Sequence, residues 1–387
     1  MNEILTGGVS LALLGVSCLV GSCTLLCFRK QTNFIWLYIS VLLKVGGAFV
    51  YFAWCYEEQW LLADSVEYFE MGKVLVDGGY TPFEIDTYFQ LTFLSGGPHI
   101  MYGLLNFLSQ YTFGTYYYVP VFLNIFLTYV SAYYLFRIAR FSGFSVAYSG
   151  SLFMFFVMHW DILTWSSFLN LKDILVLTLS VILFYYLLQV EVKQSLKNFV
   201  ILLFLCFCFY WLRFYIPLLA MIAFLINISL NRLSIKLLKN VVVVSFVTGV
   251  VVYYVGIESI SNNAEKLDIN TSSLVIGVIR MLFTPQPWSL SSSYSFLAFS
   301  SWLHLVFFLP MCVGGFLLWR GSKSARVCIV YFIIAILLYG SFSELQGPRH
   351  RVQLLFILTW MQFHFIWVTL GKTGYFAVSK KLKNTDN

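Results

Sequence analysis

Residues 34–54 read FIWLYISVLLKVGGAFVYFAW, an apolar run of 21 residues with a single charge at Lys44. A helix of about 20 apolar residues is long enough to cross the hydrocarbon core of a membrane, which is about 30 Å thick. A lysine in the middle of such a span is costly unless it is paired or wet, so we expect Lys44 to pair with an acid of another span or to face a water-filled cavity. Because similar apolar runs recur along the chain, this stretch indicates a fold made of helices that cross a membrane.

Composition agrees with this interpretation. The chain is 60% hydrophobic and 11% charged, with a mean hydropathy of +0.81, which lies outside the range of soluble domains. We predict an all-α fold, a polytopic transmembrane helix bundle of about eleven spans that forms one integral membrane domain over residues 1–387. The predicted spans lie near residues 5–27, 34–54, 116–136, 144–160, 173–190, 197–212, 214–230, 239–256, 298–319, 327–342 and 352–370.

The basic residues predict the orientation. Sixteen of the 24 Lys and Arg residues fall in every second connection or in the C-terminal tail if the N-terminus lies outside. Cytoplasmic connections are enriched in Lys and Arg, so the N-terminus is expected outside and the C-terminus in the cytoplasm. The net charge of +7 follows from these clusters beside the membrane. No nucleic-acid partner is therefore expected, and the partners are membrane lipids.

The connection at residues 55–116 is a long outer loop with an acidic composition. It carries one basic residue, Lys73, against eight acids: Glu57, Glu58, Asp64, Glu67, Glu70, Asp77, Glu84 and Asp86. Residues 64–76 and 98–113 have apolar positions at helical spacing, which predicts two amphipathic helices in the membrane interface. Asp64 and Ser65 can cap the first of them. Long loops usually carry function, so this loop is a candidate site.

The same orientation places the other charged connections on the outer face. They are residues 159–173, the turn at Arg213, a second outer loop at residues 257–297, and residues 343–351. The cytoplasmic connections are short and basic. The asymmetry predicts that recognition or chemistry takes place on the outer face.

The order of short motifs along this chain resembles the GT-C superfamily of polytopic glycosyltransferases, notably the bacterial branch similar to protein O-mannosyltransferases and lipid A aminoarabinose transferase. The likeness covers roughly residues 34–230, and two later motifs resemble bacterial surface-polysaccharide membrane proteins more loosely. The motifs are Asp64-x-x-x-Tyr68, Phe113-Gly114, Arg137-Ile-Ala-Arg140, Asn170-Leu-Lys172-Asp173, Leu212-Arg213-Phe214, then Pro285-Gln-Pro287-Trp288 and Pro348-Arg349-His350-Arg351.

The resemblance implies sugar transfer on the periplasmic face from an undecaprenyl phosphate or diphosphate donor, in O-antigen or capsule assembly at the inner membrane. Asp64 is the candidate catalytic base for the acceptor hydroxyl. The candidate residues that bind the donor phosphate or the substrate are Lys172, Asp173, Arg213, Arg280, Arg349 and Arg351. No metal-ligand spacing is present and no cofactor is assigned; a divalent cation is left open.

Several alternatives stay open at the level of sequence. Asp64 is equally explained as a helix cap, Lys172 and Asp173 as a structural ion pair, and Arg280, Arg349 and Arg351 as contacts to lipid headgroups. The sequence does not separate two activities, the addition of one sugar and the polymerisation of repeat units. Either could take place alone or with other polysaccharide-assembly proteins. The rival function is a polytopic transporter or flippase for a lipid-linked saccharide, which predicts broken helices and charges near the bilayer midplane.

Overall fold

The computed structural model describes residues 10–96, 99–193, 195–230, 274–342 and 347–371. Within these ranges the chain is helical and contains no β-strand, so the predicted all-α fold is confirmed. The predicted span at residues 239–256 lies outside the described residues, as do residues 257–273 of the second outer loop.

Six helices are long and apolar enough to cross a membrane, and two bent pairs raise the number to eight if each pair is one span. The six are Leu11–Phe28, Phe34–Cys55, Tyr118–Phe141, Asp173–Val192, Lys323–Ser341 and Pro348–Thr369. The pairs are Val146–Val157 with Trp160–Ser167, bent by 48°, and Ser292–Val306 with Phe308–Gly321, bent by 54°. The described residues therefore have six to eight candidate spans, and the count of eleven stays a prediction.

The remaining helices are shorter. Leu196–Tyr210 and Tyr215–Leu230 have 15 and 16 residues and match two predicted spans in position, but they fall short of the roughly 20 residues that a span requires. Leu274–Phe283 has 10 residues, and a 3-10 turn covers Glu58–Trp60. In the outer loop the helices are Ala63–Asp77, Ile85–Leu94 and Ile100–Phe113.

The outer loop folds around its own small core. Met71, Leu75, Leu91 and Phe107 bury one another between the three loop helices. Helices Ala63–Asp77 and Ile100–Phe113 approach closely at Gly72, where a Cβ would lie 3.0 Å from the backbone of Asn106. The first and third helices were predicted from sequence, whereas Ile85–Leu94 was not.

One face of the helix Ile85–Leu94 is apolar and exposed. Ile85, Phe89 and Phe93 follow one another at four-residue spacing, with exposed fractions of 73%, 69% and 82%. Residues four apart lie on the same side of a helix, so these side chains form one stripe. Such a stripe suits a helix that rests in a membrane interface.

The start of the first loop helix differs from the prediction. Leu62 is the N-cap residue, no side chain caps the helix, and Ser65 Oγ donates a hydrogen bond to the carbonyl of Leu62. The interpretation of Asp64 as a helix cap is therefore wrong. Its carboxylate, in the first turn of the helix, is left to bond elsewhere.

Lys44 is buried in the span that decided the fold class. Its Nζ donates to Thr128 Oγ1 at 2.6 Å and lies 5.7 Å from the ring centre of Tyr129. In the described part of the chain no carboxylate forms an ion pair with it. Lys44 therefore has the expected partner on another span, but this partner is the hydroxyl of Thr128 and not an acid. The span is also locally widened into π-helix at Leu42–Gly46 and Tyr51–Cys55.

Candidate functional site

Four charged side chains form one continuous network at an end of the bundle. Arg349 donates to Asp64 Oδ2 at 2.5 Å and to Asp173 Oδ2 at 2.7 Å. Arg213 donates to the other oxygen of Asp173 at 2.5 Å and to Gln353 Oε1 at 2.9 Å. We call Asp64, Asp173, Arg213 and Arg349 the charged network. Hydrogen bonds of this type, between ionised groups, are among the strongest in proteins.

The network joins the ends of helices that are far apart in sequence. Asp173 is the first residue of the span Asp173–Val192, and Arg349 is the second residue of Pro348–Thr369. Asp64 lies in the loop that follows the span Phe34–Cys55. These three helix ends therefore lie at the same end of the bundle, which is also the end that the charge pattern predicted to face outward.

The two carboxylates of the network have different surroundings. The side chain of Asp173 is 1% exposed and lies between two guanidinium groups, whereas that of Asp64 is 45% exposed and has one. A buried anion needs paired cations, so Asp173 is the counter-ion that holds Arg213 and Arg349 in place. Asp64 is the only carboxylate of the network that a molecule from outside can reach.

Lys172 lies beside the network and pairs with a residue that sequence reasoning missed. Its Nζ is 2.6 Å from Nδ1 of His99, and it lies 5.8 Å from the ring centre of Tyr68. Burial, together with the positive charges of Arg213 and Arg349, lowers the pKa of Lys172 to about 7. Burial and the nearby Lys172 lower the pKa of His99 to about 4, so its ring is neutral at neutral pH.

Uncharged side chains hold the loop against the bundle next to the network. Asn170 Nδ2 donates to the carbonyl of Ser65 at 3.3 Å and to Asn106 Oδ1 at 2.6 Å. Its Oδ1 accepts from the Tyr102 hydroxyl at 2.7 Å. These fully buried groups satisfy one another, which gives a rigid frame. Because Ser65 follows Asp64 directly, this frame fixes the position of the Asp64 backbone.

The two remaining predicted site residues are placed differently. Arg351 is buried, and its Nη1 donates to the main-chain carbonyls of Leu282 and Thr284 at 3.0 and 2.9 Å. Arg280 is exposed on the helix Leu274–Phe283, and in the ranges that the structure describes no hydrogen bond or ion pair connects its side chain to the network. The structure thus brings Asp64, Lys172, Asp173, Arg213 and Arg349 together and leaves Arg280 and Arg351 apart.

His99, Gln353 and Tyr68 are the residues of this region that the sequence interpretation did not assign. The Tyr68 hydroxyl lies beside the Arg349 guanidinium, at the position four residues after Asp64 in the helix. That spacing was visible in the sequence motif. Nothing in the sequence singles out Gln353 or His99. Gln353 is an ordinary polar residue that follows the Pro348–Arg351 motif, and His99 comes at the start of an amphipathic helix.

The part of the chain that the structure describes contains no group of three or more His, Cys, Asp or Glu side chains able to hold a metal ion. Both carboxylates of the network are bonded to arginine. We therefore assign no step to a cation.

Comparison of the chain with protein-family models, with curated proteins and with solved structures finds no match. The functional argument therefore rests on the residues themselves. They combine an exposed carboxylate, two arginines held by a buried counter-ion, and a lysine that is protonated in part near neutral pH. This combination can accept a proton beside a bound anion.

Proposed function

We propose that this protein is an integral membrane glycosyltransferase that transfers a sugar or oligosaccharide from an undecaprenyl-linked phosphate or diphosphate donor, in the assembly of a surface polysaccharide. The observation that carries the proposal is the charged network, in which Asp64 meets Arg349 at 2.5 Å across 285 positions of sequence. A reaction of this kind needs a carboxylate and cationic groups at one place on the membrane edge.

The chemistry assigns a role to each residue. Asp64 removes the proton of the acceptor hydroxyl while that oxygen forms a bond to the anomeric carbon of the donor sugar. The bond between that carbon and the phosphate oxygen breaks, and its electron pair stays on the phosphate. Arg349 and Lys172 bind the phosphate more strongly as its charge grows. Asp173 and Gln353 keep Arg213 and Arg349 in position and do not touch the donor.

Arg349 links the binding of the donor phosphate to the action of Asp64 as a base. Asp64 Oδ2 already accepts a hydrogen bond from the Arg349 guanidinium, so this oxygen is not free to receive the proton of an acceptor hydroxyl. A donor phosphate that takes over Arg349 would release Asp64 at the moment when the base is needed. The proposal therefore includes an exchange of partners at Arg349 when the donor binds.

The proposed topology has eleven spans, with the N-terminus outside, the C-terminus in the cytoplasm and the network on the periplasmic face of the inner membrane. The support is the position of the network at one end of the bundle, opposite the basic connections. Arg137 and Arg140, at the far end of the helix Tyr118–Phe141, bond to Tyr and main-chain groups, and among the residues that the structure describes they form no ion pair with an acid.

The test is sugar transfer by purified protein supplied with a lipid-linked donor. Asp64→Asn keeps the size of the side chain but removes its basicity, and we expect transfer to fall about 10²–10⁴-fold, the usual contribution of a general base. The matched control is Glu67→Gln, an exposed acid on the same helix, which should transfer at the wild-type rate. Equal transfer by wild type and Asp64→Asn would remove Asp64 from the mechanism. Product length then separates addition of one sugar from polymerisation.

Two observations favour a second candidate, a flippase for a lipid-linked saccharide. Two candidate spans are bent by 48° and 54°, and Lys44 is buried within a third. Broken helices and charges within the membrane are typical of transporters. Translocation of a lipid-linked saccharide in proteoliposomes, with no sugar transfer under the same conditions, would favour the flippase over the transferase.

A further inference from the structure

A second concave site lies next to Arg351, apart from the charged network. It is a cleft of about 190 Å³ between the helix Leu274–Phe283, the connection after it and the helix Ala298–Val306. Its lining residues are Ile279, Phe283, Gln286, Pro287, Trp288, Ser301, His304 and Leu305. Pockets for drug-sized ligands measure about 300–1,000 Å³. This cleft is smaller and suits a single ring.

The floor of the cleft carries polar atoms without partners. Ser301 and His304 are 5% and 3% exposed, and within the described ranges neither Ser301 Oγ nor His304 Nδ1 has a hydrogen-bond partner. Behind them lies Asp161, which is 1% exposed and also has two carboxylate oxygens without a hydrogen bond. Its Oδ2 is 3.8 Å from His304 Nδ1. Buried polar atoms are rarely left unpaired, so a ligand or water is expected to bind them.

The hydrogen-bonding character of the floor follows from one contact. His304 Nε2 lies 2.8 Å from the carbonyl of Leu282, which can only accept, so Nε2 carries the proton. In the neutral ring Nδ1 is then an acceptor. Together with the Ser301 hydroxyl oxygen it favours a ligand that donates hydrogen bonds. Among these atoms an anion would find a donor only in the Ser301 hydroxyl.

The wall of the cleft adds a flat aromatic surface. The Trp288 side chain is 65% exposed and lies 6.1 Å from Trp302, measured between ring centres. Exposed tryptophans also anchor proteins at membrane interfaces. An anchor, however, needs no buried hydrogen-bond acceptors beside it. The combination of an indole face with acceptors at the floor matches the two faces of a sugar ring, whose C–H groups are apolar and whose hydroxyls donate.

We propose that this cleft binds one uncharged sugar ring of the saccharide substrate, stacked on Trp288 and donating hydroxyl hydrogen bonds to Ser301 and His304. The assignment of the ligand as substrate rests on the proposed glycosyltransferase function. The cleft and the charged network are linked through one short segment, since Arg351 and His304 both bond to the Leu282 carbonyl and Arg351 lies two residues after Arg349.

The experiment measures sugar binding without turnover. The full chain is placed in lipid nanodiscs that were prepared without glucoside or maltoside detergents, because their headgroups would compete. Saturation-transfer NMR is then recorded with the methyl glycosides of a neutral hexose, an N-acetylhexosamine and a uronic acid, and binding of inorganic phosphate is recorded separately. We expect binding of at least one neutral glycoside, and no binding of the uronic acid at this cleft.

Two variants locate the binding. Trp288→Ala removes the exposed indole and should weaken binding about threefold to tenfold, the worth of an aromatic contact. Ser301→Ala removes a hydroxyl that has no partner to lose, so weaker binding there with unchanged thermal stability also supports the proposal. Trp36→Ala, which removes a tryptophan of similar exposure on the span Phe34–Cys55 and outside the cleft lining, is the matched control and should bind like wild type.

Other outcomes overturn the proposal. No binding of a neutral glycoside, equal binding by wild type and Trp288→Ala, or preference for the uronic acid would each do so. Failure here is distinguishable from failure of the proposed function. If Asp64→Asn loses transfer while the cleft binds no sugar, the transferase stands and the cleft assignment falls. If the cleft binds sugar but wild type shows no transfer, the sugar site stands, and its assignment to a transferase substrate falls.

Discussion

Arg349 and Arg351 lie two residues apart in one short helix, yet their surroundings differ completely. Arg349 bonds to two carboxylates, one of them 45% exposed, and belongs to the charged network. Arg351 bonds to two main-chain carbonyls and supports the wall of the cleft. An arginine paired with an exposed carboxylate can exchange that partner for a phosphate, whereas Arg351 is itself buried and is held in place by two main-chain carbonyls. The first region is suited to anions, the second to hydrogen-bond donors.

The largest effect is expected from the buried acids of the two regions. Asp173→Asn leaves Arg213 and Arg349 next to each other without their counter-ion, and breaking a buried ion pair costs about 3–5 kcal/mol. Asp161→Asn should cost much less, because Asp161 has no hydrogen bond to lose in the described structure. Thermal unfolding followed by size-exclusion chromatography measures both. Equal losses of stability would contradict the difference between the regions.

The two arginines provide the next comparison. Arg349→Lys keeps the charge but loses the fork that bonds to two carboxylates, and we expect sugar transfer to fall about 10²–10³-fold with little loss of stability. Arg351→Met should show the opposite pattern, because the Thr284 carbonyl loses its side-chain donor at a cost of about 1–3 kcal/mol, while the Leu282 carbonyl keeps His304. Transfer assays and thermal unfolding on both variants check this. A loss of transfer in Arg351→Met at unchanged stability would place Arg351 among the substrate-binding residues.

The smallest effect concerns pH. Lys172 has a pKa of about 7 in the folded protein, so its positive charge is largely present at pH 6 and largely absent at pH 8. The affinity for an anionic lipid-linked donor should therefore fall about threefold to tenfold as the pH rises from 6 to 8.5. Lys172→Arg stays charged throughout and should give a flatter profile. Donor binding that is independent of pH in wild type would exclude Lys172 from the phosphate site.

Charge position along the chain was enough to predict most of the network. Lys172, Asp173 and Arg213 stand at the ends of apolar runs, where a charge is too costly to be buried in lipid, and Asp64 and Arg349 lie in connections predicted to face outward. Their roles were less predictable. Asp173 was predicted either to bind substrate or to form a structural ion pair, and the structure shows it between two guanidinium groups.

Other parts of the site could not be predicted, because they depend on contacts between distant segments. The unpaired atoms of Ser301, His304 and Asp161 come from two bent helix pairs that are distant in sequence, and neither bend was expected from composition. His99 reaches Lys172 only because the outer loop packs back on the bundle. A lone histidine at the start of an amphipathic helix carries no sign of this in the sequence.

By itself the sequence determined that the chain is helical, with apolar runs long enough to cross a membrane and with most of its acids in the connections predicted to face outward, because hydrophobic run length and charge spacing are local properties. Tertiary structure alone decided which of these charges meet, that Arg349 binds carboxylates while Arg351 binds carbonyls, and that Asp64 is exposed while Asp173 is buried. The reason is physical: the partner and burial of a charged side chain are set by the helices around it, and those helices come from every part of the chain.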